Sequence, residues 1–481
     1  MSTRITILGA GPGGYIAAIR AAQLGAQVTV IERDNIGGTC LNWGCIPTKT
    51  LTTTASLLEN FRRASELGVD VRGEVRPNIQ RLMARKQEVI DTLATGILKI
   101  FDSYKIQYIR GEGYVLEPNR VRVKQHHNGT MDVVSDKLIL APGSRPLNIP
   151  AFPLDGEKIL SSNDILTMTE VPESILIIGG GVIGCEFAFI LASLGAQVTV
   201  VEAMSRLMPL PSIDADCSAI ILREMKKRKI KVYLNRTVEK TEIGGDSVQV
   251  TVGPSPFAQN LKEKDKKPLV LTVKKVLVSI GRKPNTQEMG LEQLGVEMDE
   301  RGWLVANERM ETNVPNVYAI GDVLGPSKVM LAHVASTEGL VAVENAMGGD
   351  RRMNYEVVPA GVFTFPEVAN VGLTEEQARE RGYEVRVDNF LFRALGKSQA
   401  MGEIVGQVKI VSDTRSKRIL GVHIVGPHAT DLISEGTLAI QMGATVEELA
   451  STIHVHPTLS EAMMEASHKA LDACLHCPKE S

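Results

Sequence analysis

The chain has 481 residues, 43% apolar and 23% charged, the make-up of a folded protein too long for one hydrophobic core, so three or so domains are expected. A formal charge of −3 excludes the concentrated positive charge that a nucleic-acid or membrane-surface partner requires, and no apolar stretch is long enough to span a bilayer. Met1-Ser2-Thr3-Arg4 runs too quickly into a glycine turn for a signal peptide, and six cysteines are too few for an extracellular disulfide framework; a cytoplasmic protein is expected.

Residues 5–32 read ITILGAGPGGYIAAIRAAQLGAQVTVIE: an apolar strand, a glycine turn, an Ala-rich amphipathic helix and a second strand ending in an acid. Gly9, Gly11 and Gly14 stand where a dinucleotide fold needs a tight turn, close backbone approach to a pyrophosphate, and close helix–strand packing. The anion would rest on the helix N-terminus, where free N–H groups and the macrodipole favour negative charge. Glu32 closes the second strand, where a carboxylate accepts hydrogen bonds from a ribose diol.

Residues 37–49 follow as GGTCLNWGCIPTK. On a regular helix Cys40 and Cys45 could not be bridged: five residues rise about 7.5 Å and pass a full turn, whereas a disulfide needs Cα atoms within about 7 Å. A bridge therefore needs distorted backbone, which Gly44 permits. Gly37 and Gly38 lead into a helix whose N-terminus is expected to lower the thiol pKa. In a reducing compartment such a pair reads as catalytic rather than structural.

A second copy of the first unit occupies residues 175–202, ILIIGGGVIGCEFAFILASLGAQVTVVE, and LGAQVTV is identical at 24–30 and 194–200. Gly179, Gly181, Gly184 and Glu202 repeat the four roles at the same spacing, so the chain is built to bring two dinucleotides together. Glu202 pairs with a ribose 2′-OH and repels a 2′-phosphate; although Arg206 lies nearby, the acid holds the strand end and NAD(H) is favoured over NADP(H).

The insert Gly253 to Pro268 carries Gly, Pro and a Lys/Glu/Asp run and reads as a solvated hairpin loop. Further on, apolar strands (406–411 and 419–425) alternate with helices expected after Asp431 and Thr445. The fold class is α/β, with two Rossmann-like nucleotide-binding domains (1–150 and 151–278), a central segment (279–350) and a C-terminal α+β domain (351–481). Cys474-Leu475-His476-Cys477 lacks a zinc-completing pair and a strand–helix context; it reads as an inert tail in preference to a redox relay or a metal-capture pair, and no metal site is expected.

GGTCLNWGCIPTK resembles the redox-disulfide motif of the pyridine nucleotide-disulphide oxidoreductases, and the resemblance runs nearly the whole chain. Residues 141–146 (APGSRP) are similar to the segment that closes the family's first domain, and 279–285 (SIGRKPN) to the return from its NAD domain. Residues 318–322 (YAIGD) are similar to the second FAD signature, and 453–461 (IHVHPTLSE) to the acid–base motif. The resemblance implies FAD in the first unit, NAD in the second, a central segment completing the FAD site, and a homodimer formed through 351–481. It assigns cofactor contacts to Gly9, Gly11, Gly14, Glu32, Thr39, Lys49, Gly113, Gly321, Asp322 and Ala332, and to Gly179, Gly181, Gly184, Glu186, Glu202 and Gly281.

By the same resemblance Cys45 is the flavin-proximal sulfur and Cys40 the interchange thiol. His456, before a cis Pro457, is the acid–base, oriented by Glu461 and serving the disulfide of the other subunit. Lys49 and Glu186 match an ion pair beside the flavin N5, whereas His454 and the other histidines read as satisfied surface or core residues. The motif is nearest to members that oxidise dihydrolipoyl groups with NAD⁺, which implies a lipoyl-bearing protein or free lipoamide as substrate; a glutathione reductase-like or mercuric reductase-like disulfide reductase is the alternative. Trp43, Pro142 and Val334 depart from the family pattern, and Trp43 would narrow the approach to the disulfide.

Overall fold

Both glycine-turn segments form the strand–turn–helix–strand unit that their apolar spacing dictates. In the computed structural model, which describes residues 2–126, 129–259 and 266–477, the first copy comprises strand Arg4–Leu8, helix Pro12–Gln23 and strand Gln27–Glu32. The second comprises strand Ser174–Ile178, helix Val182–Leu194 and strand Gln197–Val201, with Glu202 just beyond. The two helices differ. Pro12–Gln23 buries only its small-residue face, as its amphipathic pattern predicts, whereas Val182–Leu194 is buried nearly all round and is not amphipathic. The reason lies in IGCEFAFILASL itself, which apart from Glu186 and Ser193 carries only apolar or small residues, on every face, and must be covered on every face.

One compact unit comprises Met1–Leu51, Gln80–Leu147 and Gly281–Tyr355. Its sheet runs, in spatial order, Val317–Ala319, Lys137–Leu140, Arg4–Leu8, Gln27–Glu32, Gln107–Glu117, Arg120–Gln125 and Thr130–Val134. The first five strands are parallel and the last two add antiparallel. Parallel strands covered on both faces carry continuous apolar runs, and Ile5, Ile7, Leu8, Leu138, Ile139 and Leu140 are fully buried. Strand Val317–Ala319 pairs with Lys137–Leu140, which is why the central segment belongs with the N-terminal residues.

The other compact unit comprises Thr52–Ile79, Asn148–Ile280 and Glu356–Ser481. It holds a parallel sheet ordered Lys231–Tyr233, Gln197–Val201, Ser174–Ile178, Lys275–Val278 and Ile159–Leu160. Beside it, Arg236–Gly244, Ser247–Pro254 and Leu269–Val273 form an antiparallel meander. The insert expected to be a hairpin loop joins the last two of these strands; Val252 pairs with Leu269, and residues 260–265 lie outside the described ones.

The same unit contains a five-stranded antiparallel sheet, Ala360–Val362, Glu367–Gly372, Ile419–Gly426, Gln407–Asp413 and Val385–Leu391. Helices Ala429–Met442, Val446–Ser451 and Glu461–Lys469 pack their apolar faces on it around Phe392, Ile410, Ile424 and Met463. The helix expected after Asp431 begins at Ala429, so Asp431 sits in the first turn, where a carboxylate favours the macrodipole. Thr445 caps the next helix in a reciprocal box with Glu448. Among the described residues no helix is long and apolar enough to cross a membrane.

Candidate active site

The glycine turns show which glycines the protein needs for itself and which it leaves open. Gly9 has φ 103°, and a Cβ there would fall 2.1 Å from the Ala141 carbonyl oxygen. A Cβ on Gly14 would fall 1.9 Å from the Gly9 oxygen, so helix and turn close only with hydrogen at that place. Gly11 differs: it is extended (φ −67°, ψ −177°), and a Cβ would meet only the Gly38 Cα at 4.0 Å. The second turn repeats this. A Cβ on Gly179 (φ 101°) would lie 2.5 Å from the Ser279 oxygen and one on Gly184 1.9 Å from the Gly179 oxygen, whereas Gly181 has nothing within 4 Å. Each turn thus leaves one bare backbone position at a helix N-terminus, the cradle that a pyrophosphate fits.

The acids brace these turns. Buried Glu32 accepts the N–H groups of Ala10 and Asp34, each at 2.7 Å, and Glu202 accepts those of Gly180 at 2.6 Å and Met204 at 2.7 Å. A carboxylate has about four lone-pair sites, so both retain capacity for a ribose diol. Burial pushes the Glu32 carboxyl above its ordinary value, against the pull of those two N–H groups. Arg206 is turned away to its own loop, donating to the carbonyls of Met208 and Leu210 and to Ser218 Oγ, each at 2.9 Å.

The central segment contributes a second set of groups. Gly321 (φ 76°) donates its N–H to Glu338 at 2.6 Å, and Asp322 Oδ2 accepts from Ser144 Oγ at 2.7 Å. Arg282 donates to Ser144 Oγ at 2.6 Å and stands 3.7 Å from Asp322, close enough to Cys45 for the two charges to interact. Ala332 opens helix Ala332–Ala346, and Gly281 (φ 125°) accepts from Leu147 N at 3.1 Å. Gly113 has a packing reason for its size: a Cβ there would press on Leu8 Cδ2 at 2.6 Å.

The cysteine pair straddles a helix break. Helix Gly38–Trp43 ends at Gly44 (φ −147°, ψ −110°), and a new helix, Cys45–Arg62, starts at once. Gly44 is the distortion point expected from the spacing, backed closely by the Thr39 carbonyl. Asn42 ties the first helix down through the carbonyls of Ile36 and Gly38 at 3.0 and 2.9 Å. Both are thiols rather than a closed disulfide, Cys45 exposed and Cys40 half-buried, and Trp43 beside them is exposed. The expectation of a lowered thiol pKa fails for Cys40. Its hydrogen bond to Cys45, then burial, then the charge on Cys45 push it well up, and Lys49 only partly offsets them. The physical reason is proximity: a negative charge on one sulfur disfavours a second on its close neighbour, and burial adds to that cost.

In the other unit His456 Nδ1 lies 2.8 Å from Glu461 Oε1, and the second carboxylate oxygen accepts Thr458 N at 2.8 Å. The side chain of His456 is 77% exposed, so Nε2 is available to solvent and substrate. The His456–Pro457 peptide is cis. Burial works against ionisation of Glu461, but Thr458, His456 and the charge of His476 hold its carboxyl below the ordinary range. His454 is satisfied by Thr452 O at 2.8 Å and Glu435 at 2.7 Å. Glu186 is buried and accepts the Phe363 N–H at 2.9 Å.

Residues 3–339 match the pyridine nucleotide-disulphide oxidoreductase family, and residues 358–467 match its dimerisation domain. The chain belongs to this family. It is 40% identical to a dihydrolipoyl dehydrogenase of Chlamydia trachomatis over 98% of this chain and 97% of that one. It is likewise 40% identical to one of Bacillus subtilis over 98% of each chain, and 39% identical to the mitochondrial dihydrolipoyl dehydrogenase 1 of Arabidopsis thaliana over 98% of this chain and 91% of that one. Among solved structures, LpdA from Mycobacterium tuberculosis superposes with a TM-score of 0.88 at 29% identity, covering 97% and 99% of the two chains. The HOCl-induced flavoprotein disulfide reductase RclA from Escherichia coli superposes at 0.82 and 27%, covering 96% and 99%.

This pyridine nucleotide-disulphide oxidoreductase uses FAD and NAD and pairs as a homodimer through its dimerisation domain. Sequence reasoning passed over Arg282, Ser144, Glu338 and Tyr355. Arg282 lay inside SIGRKPN, read there only as a connection between domains. Glu338, the one carboxylate on the buried face of its helix, was the available signal: its oxygens hold Gly321 N and Tyr355 Oη, the latter at 2.7 Å.

Proposed function

We infer that the chain is a dihydrolipoyl dehydrogenase, oxidising the dithiol of a lipoyl-bearing protein or free dihydrolipoamide to its disulfide with NAD⁺ as acceptor. The observation that carries this reading is the Cys40–Cys45 pair across the Gly44 break, in a chain matched end to end by relatives of that name. FAD, bound on the first glycine turn, supplies the two-electron step that connects a dithiol to a nicotinamide.

The chain's own residues divide the remaining work. Cys40, the interchange thiol, forms the mixed disulfide with substrate, and Cys45 carries the charge facing the flavin, steadied by Arg282. His456 Nε2 takes the substrate thiol proton of the other subunit's site. Glu461 is a positioning residue: it occupies Nδ1, fixing the tautomer that leaves Nε2 as base. By the family resemblance Lys49 and Glu186 would serve the flavin, and the glycines and acids of the two turns would hold FAD and NAD. The domain limits follow the same reading: 1–150 for FAD, 151–278 for NAD, 279–350 completing the FAD site and 351–481 for dimerisation. A reducing cytoplasm suits a chain whose Cys45 thiol is exposed.

The test is a steady-state assay of nicotinamide reduction with dihydrolipoamide and with glutathione, each with NAD⁺ and NADP⁺. Turnover confined to dihydrolipoamide and NAD⁺ is expected, since Glu202 would meet the ribose and Arg206 is spent on its own loop. Preference for NADP⁺, or turnover with glutathione alone, overturns the assignment in favour of a glutathione reductase-like enzyme.

A further inference from the structure

Helix Glu461–Lys469 presents two carboxylates one turn apart on the same face, Glu461 and Glu465. The first orients His456. The second, 1% exposed, accepts His476 Nδ1 at 2.7 Å and Leu475 N at 3.3 Å. His476 lies between Cys474 and Cys477, which are joined in a disulfide. A second Glu–His pair is therefore built into a Cys-X-X-Cys disulfide, next along the helix from the acid–base dyad, and the charge of His476 reaches Glu461.

We propose that Cys474–Cys477 is a second thiol–disulfide exchange site, whose substrate is a solvent-borne dithiol. Two features separate it from a structural staple. A bridge between cysteines three apart closes so short a loop that it removes little chain entropy. Moreover, Cys474 Sγ lies 3.5 Å from Glu465 Oε2. In the disulfide that contact has no hydrogen to share; in the reduced pair the Cys474 thiol donates to a buried carboxylate. Reduction thus gains a charge-assisted hydrogen bond, which makes the disulfide an oxidant. His476, with its side chain 68% exposed, places an imidazole beside the attacking thiolate.

The exchange balances within these groups. A thiolate of the dithiol attacks Cys477 Sγ, the Cys474–Cys477 bond breaks, and Cys474 leaves, taking up a proton to become the thiol that donates to Glu465. The dithiol's second thiolate then attacks its own sulfur in the mixed disulfide and expels Cys477, which is protonated by way of His476. Two electrons and two protons pass from the dithiol, now a disulfide, to the cysteine pair.

The test follows the tail pair itself and is independent of the dihydrolipoyl reading. The FAD-loaded full chain is equilibrated in dithiothreitol buffers of graded reduced-to-oxidised ratio and alkylated, and the peptide bearing Cys474 and Cys477 is weighed. A reversible change from disulfide to dithiol within the buffer range is expected. Glu465→Gln shifts its midpoint about tenfold toward more reducing ratios through loss of the charged acceptor. His476→Gln, at an exposed position, slows the exchange and leaves the midpoint in place. A pair that remains a disulfide in the most reducing buffer while the protein stays folded, or that never oxidises, or a Glu465→Gln midpoint equal to wild type, overturns the proposal.

Discussion

Replacing Gly181 by alanine separates the protein's need for a glycine from its ligand's need. The backbone there is extended (φ −71°, ψ −168°) and open to any residue, and the new methyl would have no atom within 4 Å. Folding stability should therefore stay within about 0.5 kcal/mol of wild type. The methyl nevertheless stands over the N-terminus of helix Val182–Leu194, where the pyrophosphate of NAD must approach. Losing one or two charge-assisted hydrogen bonds of about 1.5–3 kcal/mol each costs roughly 3 kcal/mol, or about a hundredfold in KM for NAD⁺. Gly184→Ala is the contrast: its Cβ would sit 1.9 Å from the Gly179 oxygen, and overpacking of that kind costs about 1–3 kcal/mol or more. The assay is thermal unfolding, visible absorbance for retained flavin, and KM for NAD⁺ on each variant. Gly181→Ala should be stable, yellow and poor in NAD⁺ binding; Gly184→Ala should melt early. A folded Gly181→Ala protein with an unchanged KM refutes the placement of the pyrophosphate.

Three further outcomes test other parts of the structure. His456→Gln should lower dihydrolipoamide oxidation by roughly 10²–10⁴-fold while NADH oxidation by an artificial acceptor persists; equal loss of both activities would mean that the variant damages the fold or the flavin. Burial raises the Glu338 carboxyl to about 7. Its ionised form is therefore disfavoured in the folded state, by nothing below the unfolded value and by an increasing amount as pH rises from about 4.5 to about 7, up to about 3 kcal/mol above that. Glu338→Gln should accordingly gain stability relative to wild type between pH 5 and pH 8 in urea titrations, and a pH-independent difference would contradict the assigned environment. Lys409, 8% exposed, bridges buried Asp214 at 3.0 Å and Asp216 at 2.9 Å. Lys409→Met leaves Asp214 uncompensated and should cost about 3–5 kcal/mol, with part regained in the Lys409→Met/Asp214→Asn double variant.

What could be read from the chain alone was whatever is encoded within a few tens of residues. The repeat LGAQVTV, the glycine spacing and the acid at each strand end determine the two nucleotide units, because turn, helix start and strand end make their contacts locally: Glu32 reaches Ala10, and Glu202 reaches Gly180. The helix break at Gly44 was legible for the same reason, whereas the His456–Glu461 pairing came only through the resemblance of IHVHPTLSE to the family's acid–base motif. Groups brought together from distant segments were not. Arg282 meets Ser144 across 138 residues, and Lys409 meets Asp214 across 195, and no period or motif records such pairings.

The sequence by itself determined the fold class, the two glycine-turn units and the location of the cysteine pair, since each rests on hydrophobic period and short-range backbone geometry. Tertiary structure alone decided the electrostatics: that the Cys40 thiol is pushed up by Cys45 and by burial, that Glu338 is a buried carboxyl pushed up to about 7, and that Glu465 turns toward a tail disulfide. Burial and the distance between charges are properties of the packed molecule, and a chain acquires them only when remote segments exclude water from one another.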